Sequence, residues 1–377
     1  MSNINLLIKP ASGLCNMRCK YCFYHDVINN RETETFGMMS LETLEHIVRN
    51  VLGLPVTDCT IAFQGGEPTL RGLDFYRHLI EYVQKYNKKN IRVHYALQTN
   101  GYIIDHEWAE FFAGNNFLIG LSMDGMKDTH DLYRKDAIGD GTYRKVMHAI
   151  QLFKNHRVEF NILTVVTAQV ARNIGKIYGF YKRNGLYFQQ YIPCIDPFGE
   201  ERGEREYSLT PELYSYFLRT LFDLWYHDIK RGEFVYNRYF ENLVGMLLGL
   251  RPESCGMAGV CMRQYVIEAD GSVYPCDFYV LDKYKIGNFA TDSIETIEKN
   301  RRELGFIEKS MTVHEKCRNC KWLALCRGGC RRDRETSGGD ALTLNYFCRA
   351  YHEFFEYAYE RLCEIAGMVR NNEFGRK

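Results

Sequence analysis

The chain has 377 residues, of which 48 are Lys or Arg and 47 are Asp or Glu, so its formal net charge is +1. Such a balanced charge argues against recruitment by nucleic acid or by an anionic membrane surface. Hydrophobic residues make up 46% of the chain, which is enough for a large core in two or three domains or in one barrel with an appendage.

The first residues and the cysteines of the chain indicate the compartment in which we expect the protein to act. The first residues carry no basic leader, and no apolar run approaches the length of a membrane span, so we expect a cytoplasmic protein without a nucleic-acid or membrane partner. Disulfides are rare in a reducing compartment. The fourteen cysteines therefore predict metal ligands.

The first half of the chain alternates between strand-like and helical patterns. Strands are predicted at 4–12, 59–64, 91–98, 117–123, 159–167 and 187–194. Helices are predicted after a cap at Ser40 and near 73–87, 105–114, 142–155 and 170–184. This order favours βαβ units and a parallel sheet, either as a partial (β/α)6 barrel or as an open doubly wound sheet.

Small or polar residues follow each predicted strand. They are a cysteine loop after the first strand and then 64–67, 98–101, 122–125, Thr167 and 194–196. The carboxyl ends of parallel strands lie at the active-site edge of such folds. We therefore expect these residues to face one cavity.

The cysteine loop after the first strand has the spacing C-x3-C-x2-C, at Cys15, Cys19 and Cys22. A structural metal site has four protein ligands, and this loop supplies three. Three thiolates can hold a four-iron cluster with one iron open to a substrate or cofactor. The spacing therefore predicts chemistry rather than a structural metal.

Cysteines dominate the last third of the chain. A charged loop at 198–206 and helices at 210–232 and 238–249 come first, and the composition changes near residue 255. A hairpin is predicted at 264–276, and a last helix at 349–368. The cysteines at 255, 261, 276, 317, 320, 326, 330 and 348 could fill two four-cysteine sites, and their spacing leaves zinc and iron–sulfur clusters both open.

The motifs resemble those of a known superfamily. C-N-M-R-C-K-Y-C and the G-G-E-P at 65–68 resemble motifs of the radical S-adenosylmethionine (SAM) enzymes, and the downstream cysteines resemble the SPASM domain, which carries two auxiliary four-iron clusters. The phrases F-Q-G-G-E-P-T-L, L-Q-T-N-G, L-S-M-D-G, D-G-S-V-Y-P-C-D-F-Y-V-L-D and C-K-W-L-A-L-C-R-G-G-C-R-R are similar to those of the clostridial anaerobic sulfatase-maturating enzymes. The resemblance implies a partial TIM-like (β/α)6 barrel at 1–235, a bridging helix with a SPASM domain at 236–348, and a terminal helix and tail at 349–377.

The resemblance also implies three [4Fe-4S] clusters and SAM as cofactors. The SAM cluster would be held by Cys15, Cys19 and Cys22, the first auxiliary cluster by Cys255, Cys261, Cys276 and Cys330, and the second by Cys317, Cys320, Cys326 and Cys348. The residues implied to bind SAM are Tyr21, Gly65, Gly66, Glu67, Ser122, Arg134 and Ile195, of which the last is leucine in the clostridial relative. Asp277 would be the catalytic base, and the substrate pocket would include Tyr24, Gln64, Gln98 and Asn100.

The activity implied is oxidation of a Cys or Ser side chain of a sulfatase, in a C/S-x-P/A-x-R motif, to Cα-formylglycine. Hydrogen would be abstracted from Cβ, Asp277 would remove a proton, and an auxiliary cluster would take the remaining electron. We expect an external one-electron donor such as flavodoxin or ferredoxin, and an anaerobic host.

Two alternatives remain from the sequence. The first is another SPASM-type enzyme that forms thioether or carbon cross-links in peptides, although the first strand is predicted within the first ten residues and we therefore expect no leader-binding domain. The second is a zinc-stabilised binding protein without catalysis, which the open three-cysteine loop argues against.

Overall fold

The computed structural model describes residues 3–335 and 341–371. The chain forms two compact units, each built from separate stretches. Unit one is formed by Met1–Ser122, Asp131–Phe160 and Arg263–Phe306, and unit two by Met123–His130, Asn161–Met262 and Ile307–Lys377.

Regular elements alternate along most of the described chain. Its strands are β1 (Asn3–Ile8), β2 (Asp58–Phe63), β3 (Arg92–Thr99), β4 (Phe117–Ser122), β5 (Glu159–Val166), β6 (Phe188–Pro193), β7 (Tyr236–Asn237), β8 (Tyr265–Ile267), β9 (Ser272–Tyr274) and β10 (Gly287–Asn288). Its α-helices are α1 (Phe23–Asn29), α2 (Leu41–Leu52), α3 (Leu73–Tyr86), α4 (His106–Gly114), α5 (Lys127–Tyr133), α6 (Tyr143–His156), α7 (Ala168–Arg172), α8 (Ile174–Arg183), α9 (Pro211–Arg231), α10 (Arg238–Leu247), α11 (Cys255–Ala258), α12 (Ile294–Leu304), α13 (Phe306–Ser310), α14 (Glu315–Arg318), α15 (Leu323–Cys326) and α16 (Cys348–Arg370). Short 3₁₀ helices cover Pro68–Arg71, Asp277–Tyr279, Asp282–Tyr284 and Arg331–Asp333.

The sheet of unit one is parallel at its centre. Strand β1 pairs in parallel with β2, which pairs with β3, which in turn pairs with β4. On its other side β1 pairs in parallel with β8, and β8, β9 and β10 are antiparallel. The parallel strands therefore bring the cysteine loop, residues 64–67 and residues 98–101 to the same edge of the sheet.

Burial explains why these segments adopt the predicted elements. Along β1 the buried residues alternate, with Ile4, Leu6 and Ile8 facing the core. Helix α2 begins after Ser40, whose side chain accepts a hydrogen bond from the Thr43 backbone, and the helix buries one apolar face.

Unit two combines three parallel strands with long helices. Strand β6 pairs in parallel with both β5 and β7. Helices α9 and α16 pack through aromatic rings, including Phe222 against Phe354 at 5.7 Å between centroids, and through an ion pair between Asp223 and Arg361. Across the described residues, no helix combines the length and apolar character that crossing a membrane requires.

Most predicted elements are confirmed, with local corrections. The six predicted strands (β1 to β6), the hairpin (β8 and β9) and the last helix are present. The predicted helix at 170–184 is wrong as one element, because the chain breaks at Asn173 into α7 and α8. Helices α1 and α5 were not predicted, because both are short and lie beside motif loops. The domain boundaries at 235 and 348 stay predictions, and the tail beyond residue 371 lies outside the described residues.

Candidate active site

The cysteine loop of unit one is held by backbone hydrogen bonds on both sides of Cys19. The Arg18 amide donates to the Lys135 carbonyl at 2.7 Å, and the Lys20 amide donates to the Tyr133 carbonyl at 3.1 Å. Cys22 is the residue immediately before α1 and makes no side-chain capping hydrogen bond. The three thiols of this loop are each half-buried. They are therefore carried by a short, ordered segment directly after β1.

The two glycines of the G-G-E-P motif allow close backbone contact. Gly66 has a φ of +53°, and a Cβ atom there would lie 2.1 Å from the Leu14 carbonyl oxygen. The next amide, that of Glu67, donates to the same oxygen at 2.8 Å. A side chain at Gly66 would therefore separate this loop from the cysteine loop.

Glu67 joins the ends of two strands. Its buried carboxyl accepts hydrogen bonds from the Thr69 amide and hydroxyl, at 3.1 and 2.6 Å, and from the Thr99 hydroxyl at 2.8 Å. The Asn100 amide donates to its other oxygen at 2.7 Å. Burial raises the pKa of this carboxyl, while the hydrogen bonds act in the opposite direction. The predicted SAM-binding residue Glu67 thus has its side chain engaged by the protein itself.

Asn100 contacts the cysteine loop. Its side-chain amide donates to the Asn16 side chain at 2.8 Å and approaches the Cys15 sulfur at 3.8 Å. Burial raises the pKa of the Cys15 thiol to about 12. Gln98, also predicted for the substrate pocket, is half-buried near the end of β3. The substrate roles of both residues stay predictions.

Asp277 lies at the centre of a polar cluster. Its Oδ2 accepts hydrogen bonds from the Tyr24 hydroxyl at 2.6 Å and from the Gln64 side chain at 3.1 Å. The Lys9 ammonium lies 2.8 Å from its Oδ1. Burial, followed by the negative charge of Asp277, raises the pKa of Tyr24 well above its usual value. Three predicted residues are thus brought together.

Lys9 was not identified from the sequence. It directly follows the last residue of β1 and is the basic residue in the run I-N-L-L-I-K-P, where Ile8 is fully buried. A charged side chain at the end of a buried strand is uncommon without a partner. That signal could have marked Lys9 as a functional or structural residue.

The other predicted SAM contacts belong to both units. In unit one, the Arg134 guanidinium lies 5.4 Å from the centre of the Tyr21 ring, and Ser122 ends β4. Ile195 belongs to unit two and is half-buried after β6. Its neighbour Asp196 accepts hydrogen bonds from the Gly203 amide and the Ser208 hydroxyl, which fix the following loop.

Four cysteines of unit two surround one cavity. This cavity measures about 200 Å³, and its walls include Cys317, Cys320, Cys326, Cys348, Trp322, Leu323, Tyr351, His352 and Phe355. Burial raises the pKa of the Cys326 thiol to about 11, and the charges of the other three cysteines act in the same direction. Thiols of this kind become thiolates when they bind metal, so the donor set fits an iron–sulfur cluster.

A second group of cysteines in unit two combines residues that are far apart in the sequence. A Cβ atom on Gly256, next to Cys255, would lie 3.7 Å from the Cys330 Cβ, so Cys330 packs against the segment that carries Cys255. Burial, followed by the negative charges of Asp333 and Cys255, raises the pKa of the Cys330 thiol. The Cys261 amide donates to the Ser310 hydroxyl at 2.9 Å. Cys276 belongs to unit one. Among the described residues, no three His, Cys, Asp or Glu side chains converge as the ligands of one metal ion would.

Known proteins match this chain over almost its whole length. Residues 10–178 match the Radical SAM superfamily, and residues 255–321 match SPASM, an iron-sulfur cluster-binding domain. The cysteine-type anaerobic sulfatase-maturating enzyme of Clostridium perfringens is 49% identical over 370 residues, which cover 98% of this chain and 100% of the relative. The chain belongs to the anaerobic sulfatase-maturating enzymes.

Two further comparisons place the chain within this family of radical SAM enzymes. The serine-type anaerobic sulfatase-maturating enzyme of Bacteroides thetaiotaomicron is 31% identical and covers 93% of this chain and 88% of the relative. The solved structure of native anSMEcpe with bound AdoMet and Cp18Cys peptide matches with a TM-score of 0.94 and 48% identity, over 97% of this chain and 99% of that one. The predicted α/β partial-barrel class with a SPASM domain is confirmed, as are the iron–sulfur and SAM cofactors of the family.

Proposed function

We propose that this protein oxidises a cysteine side chain of a sulfatase polypeptide to Cα-formylglycine. The observation that carries the proposal is the Asp277 cluster, in which Tyr24, two residues after Cys22, donates to the carboxylate at 2.6 Å. This contact links a potential base to the segment that carries the three-cysteine loop. The higher identity to the cysteine-type relative, 49% against 31% for the serine-type relative, favours a cysteine substrate.

The chain's own residues would hold the cofactors. Cys15, Cys19 and Cys22 would bind the SAM cluster, and the two downstream groups of cysteines, together with Cys276, would bind the auxiliary clusters. Backbone groups of Tyr21 and the Gly65–Gly66 turn, with Ser122, Arg134 and Ile195, would bind SAM. When bound, these cofactors supply hydrogen-atom abstraction and one-electron transfer.

Asp277 would take the thiol proton of the substrate. Tyr24 and Gln64 both donate to Oδ2, so these two hydrogen bonds hold one oxygen of the carboxylate. Loss of one hydrogen atom from Cβ, one proton from sulfur and one electron converts the side chain to a thioaldehyde. Water then replaces the sulfur, giving the aldehyde and hydrogen sulfide.

The partners and the location follow from the same chemistry. We expect a sulfatase segment with a C-x-P/A-x-R motif, and an external electron donor such as flavodoxin or ferredoxin. Because reduced clusters and free thiols need a reducing compartment, we expect the enzyme to act in the cytoplasm.

A paired-peptide assay tests this function. Anaerobically reconstituted and reduced enzyme is incubated with SAM and either a C-x-P-x-R or an S-x-P-x-R peptide, and aldehydes are trapped with a hydrazine. We expect aldehyde on the cysteine peptide and little on the serine peptide. The Asp277→Asn variant should bind SAM but lose at least about 100-fold in aldehyde formation.

Other outcomes would point elsewhere. If SAM is cleaved while neither peptide gains an aldehyde, the proposed activity is wrong. A peptide that loses hydrogen without gaining an aldehyde would instead indicate cross-link formation. Wild-type turnover by Asp277→Asn would remove Asp277 from the mechanism.

A further inference from the structure

Lys9 is a buried cation directed at the proposed base. Its side chain is 2% exposed, and its ammonium lies 2.8 Å from Oδ1 of Asp277, whose side chain is 13% exposed. The same ammonium lies 4.1 Å from the centre of the Tyr24 ring. A lysine is rarely buried to this degree unless an anion compensates its charge.

The contacts of Asp277 are divided between its two oxygens. Tyr24 and Gln64 both donate to Oδ2, while Lys9 approaches Oδ1. A carboxylate rotates about its Cβ–Cγ bond through a broad, two-fold well, so neutral donors on one oxygen leave it room to turn. An ion pair on the other oxygen restricts that rotation.

The stem of Lys9 is fixed by its surroundings. Its backbone amide donates to the Ile267 carbonyl at 2.8 Å, which ties the end of β1 to β8. A Cβ atom on Gly65 would lie 2.7 Å from the Lys9 Cγ and 2.9 Å from its Cδ. The first glycine of the G-G-E-P motif therefore leaves room for the lysine stem, and the ammonium is held in place before substrate binds.

We propose that Lys9 is a positioning residue that holds the Asp277 carboxylate in the orientation needed to receive the substrate's proton. The inference rests on the proposed function, because it assigns a partner to the proposed base. Lys9 touches neither the reacting sulfur nor SAM in this role. Its loss would leave hydrogen abstraction intact and impair the step that follows.

The test compares Lys9→Met with wild type by the ratio of 5′-deoxyadenosine to aldehyde formed. Methionine keeps much of the stem and removes the charge. We expect that ratio to rise about tenfold or more, because proton removal becomes limiting. SAM affinity should stay within about twofold of wild type, since the lysine has no role in that site. Lys9→Arg, which keeps the charge, should give a ratio between those of wild type and Lys9→Met.

A matched control uses another lysine paired with a buried aspartate. The Lys182 ammonium lies 2.7 Å from Asp228 in unit two. Lys182→Met should keep the wild-type product ratio. If Lys9→Met also keeps that ratio, the positioning role is wrong. It is equally wrong if the ratio for Lys9→Arg is as high as the ratio for Lys9→Met.

The Asp277→Asn background separates this inference from the proposed function and gives a readout that is independent of turnover. With a neutral asparagine, Lys9 has no anion to position, so we expect Lys9→Met to lower the apparent Tm in the wild-type background but not in the Asp277→Asn background. Equal Tm losses in both backgrounds would overturn the inference. If Asp277→Asn instead forms aldehyde at the wild-type rate, the proposed base is wrong, whatever Lys9 does.

Discussion

Two glutamates, the buried Glu67 and the half-buried Glu241, show how neighbouring groups change the role of the same side chain. Glu67 accepts four hydrogen bonds from groups at the ends of β2 and β3. Glu241, in the first turn of α10, is half-buried, and burial raises the pKa of its carboxyl to about 7. The first carboxyl organises the active-site edge of unit one, whereas ionisation of the second destabilises the folded state of unit two.

Glu241 makes a prediction about stability and pH. Because its folded-state pKa of about 7 exceeds the usual value of 4.5, the folded protein binds this proton more tightly, and stability falls as pH rises between those values. We expect Glu241→Gln to raise the unfolding free energy at pH 8 by about 1–2 kcal/mol, after allowance for solvent screening. Anaerobic denaturant unfolding at pH 5.5 and 8 measures the change.

The advantage of Glu241→Gln should shrink at pH 5.5, because the folded-state carboxyl is then protonated and, this close to 4.5, protonation costs less free energy. Glu204 lies in the exposed loop before α9, so Glu204→Gln is the control and should behave alike at both pH values. An equal gain for Glu241→Gln at both pH values would show that the titration of Glu241 is not the cause.

At the level of elements, α16 connects core packing to a proposed cluster site. The helix begins at Cys348, and its buried face includes Phe354 and Phe355. The Phe354 ring contacts Phe222 of α9 and Phe240 of α10, with centroids 5.7 and 5.9 Å apart. The position of Cys348 therefore depends on aromatic packing further along the same helix.

Phe354→Ala tests this packing. Phe354 is fully buried, so the substitution should lower the unfolding free energy by about 3–5 kcal/mol through lost contacts and a cavity. Val369, 38% exposed on the same helix, provides the control, and Val369→Ala should change stability by less than about 0.5 kcal/mol. Similar losses for the two variants, measured by denaturant unfolding, would contradict the packing account.

Elements with a strong period were predictable from the sequence, and short ones were not. The strands of the parallel sheet and helices such as α2 have clear apolar patterns over six or more residues. Helix α1 has seven residues and follows directly on the cysteine loop, so no period was visible. The break between α7 and α8 was missed because its signals, Asn173 and Gly175, lie within a continuous apolar pattern and no proline marks it.

The site was predictable where a motif marked it. Spacing identified the cysteines, and family resemblance identified Asp277, Tyr24 and Gln64. The pairing of Lys9 with Asp277 joins residues 268 positions apart in the chain, so local patterns could not show it. The contact of Asn100 with the cysteine loop depends in the same way on the register of β1, β2 and β3.

For the whole molecule, the cysteines form groups that do not follow chain order. Cys326 lines one cavity with Cys317, Cys320 and Cys348. Cys330, four residues later, instead packs against the segment of Cys255, since a Cβ atom on Gly256 would lie 3.7 Å from the Cys330 Cβ. The backbone between them turns through Gly328 and Gly329, which have φ values of +84° and +76°. This turn lets adjacent cysteines of one motif face different sites.

Cysteine variants test this division. With three [4Fe-4S] clusters, the wild-type protein should contain about twelve irons per chain, and Cys330→Ala or Cys326→Ala should each contain about eight if one cluster is lost. We expect the electron paramagnetic resonance spectrum of reduced Cys330→Ala to match that of Cys261→Ala, and the spectrum of Cys326→Ala to match that of Cys317→Ala. The exposed Cys363 is the control, and Cys363→Ala should keep all three clusters. If Cys330→Ala instead matches Cys326→Ala, both cysteines serve one cluster, and the assignment that crosses the chain order is wrong.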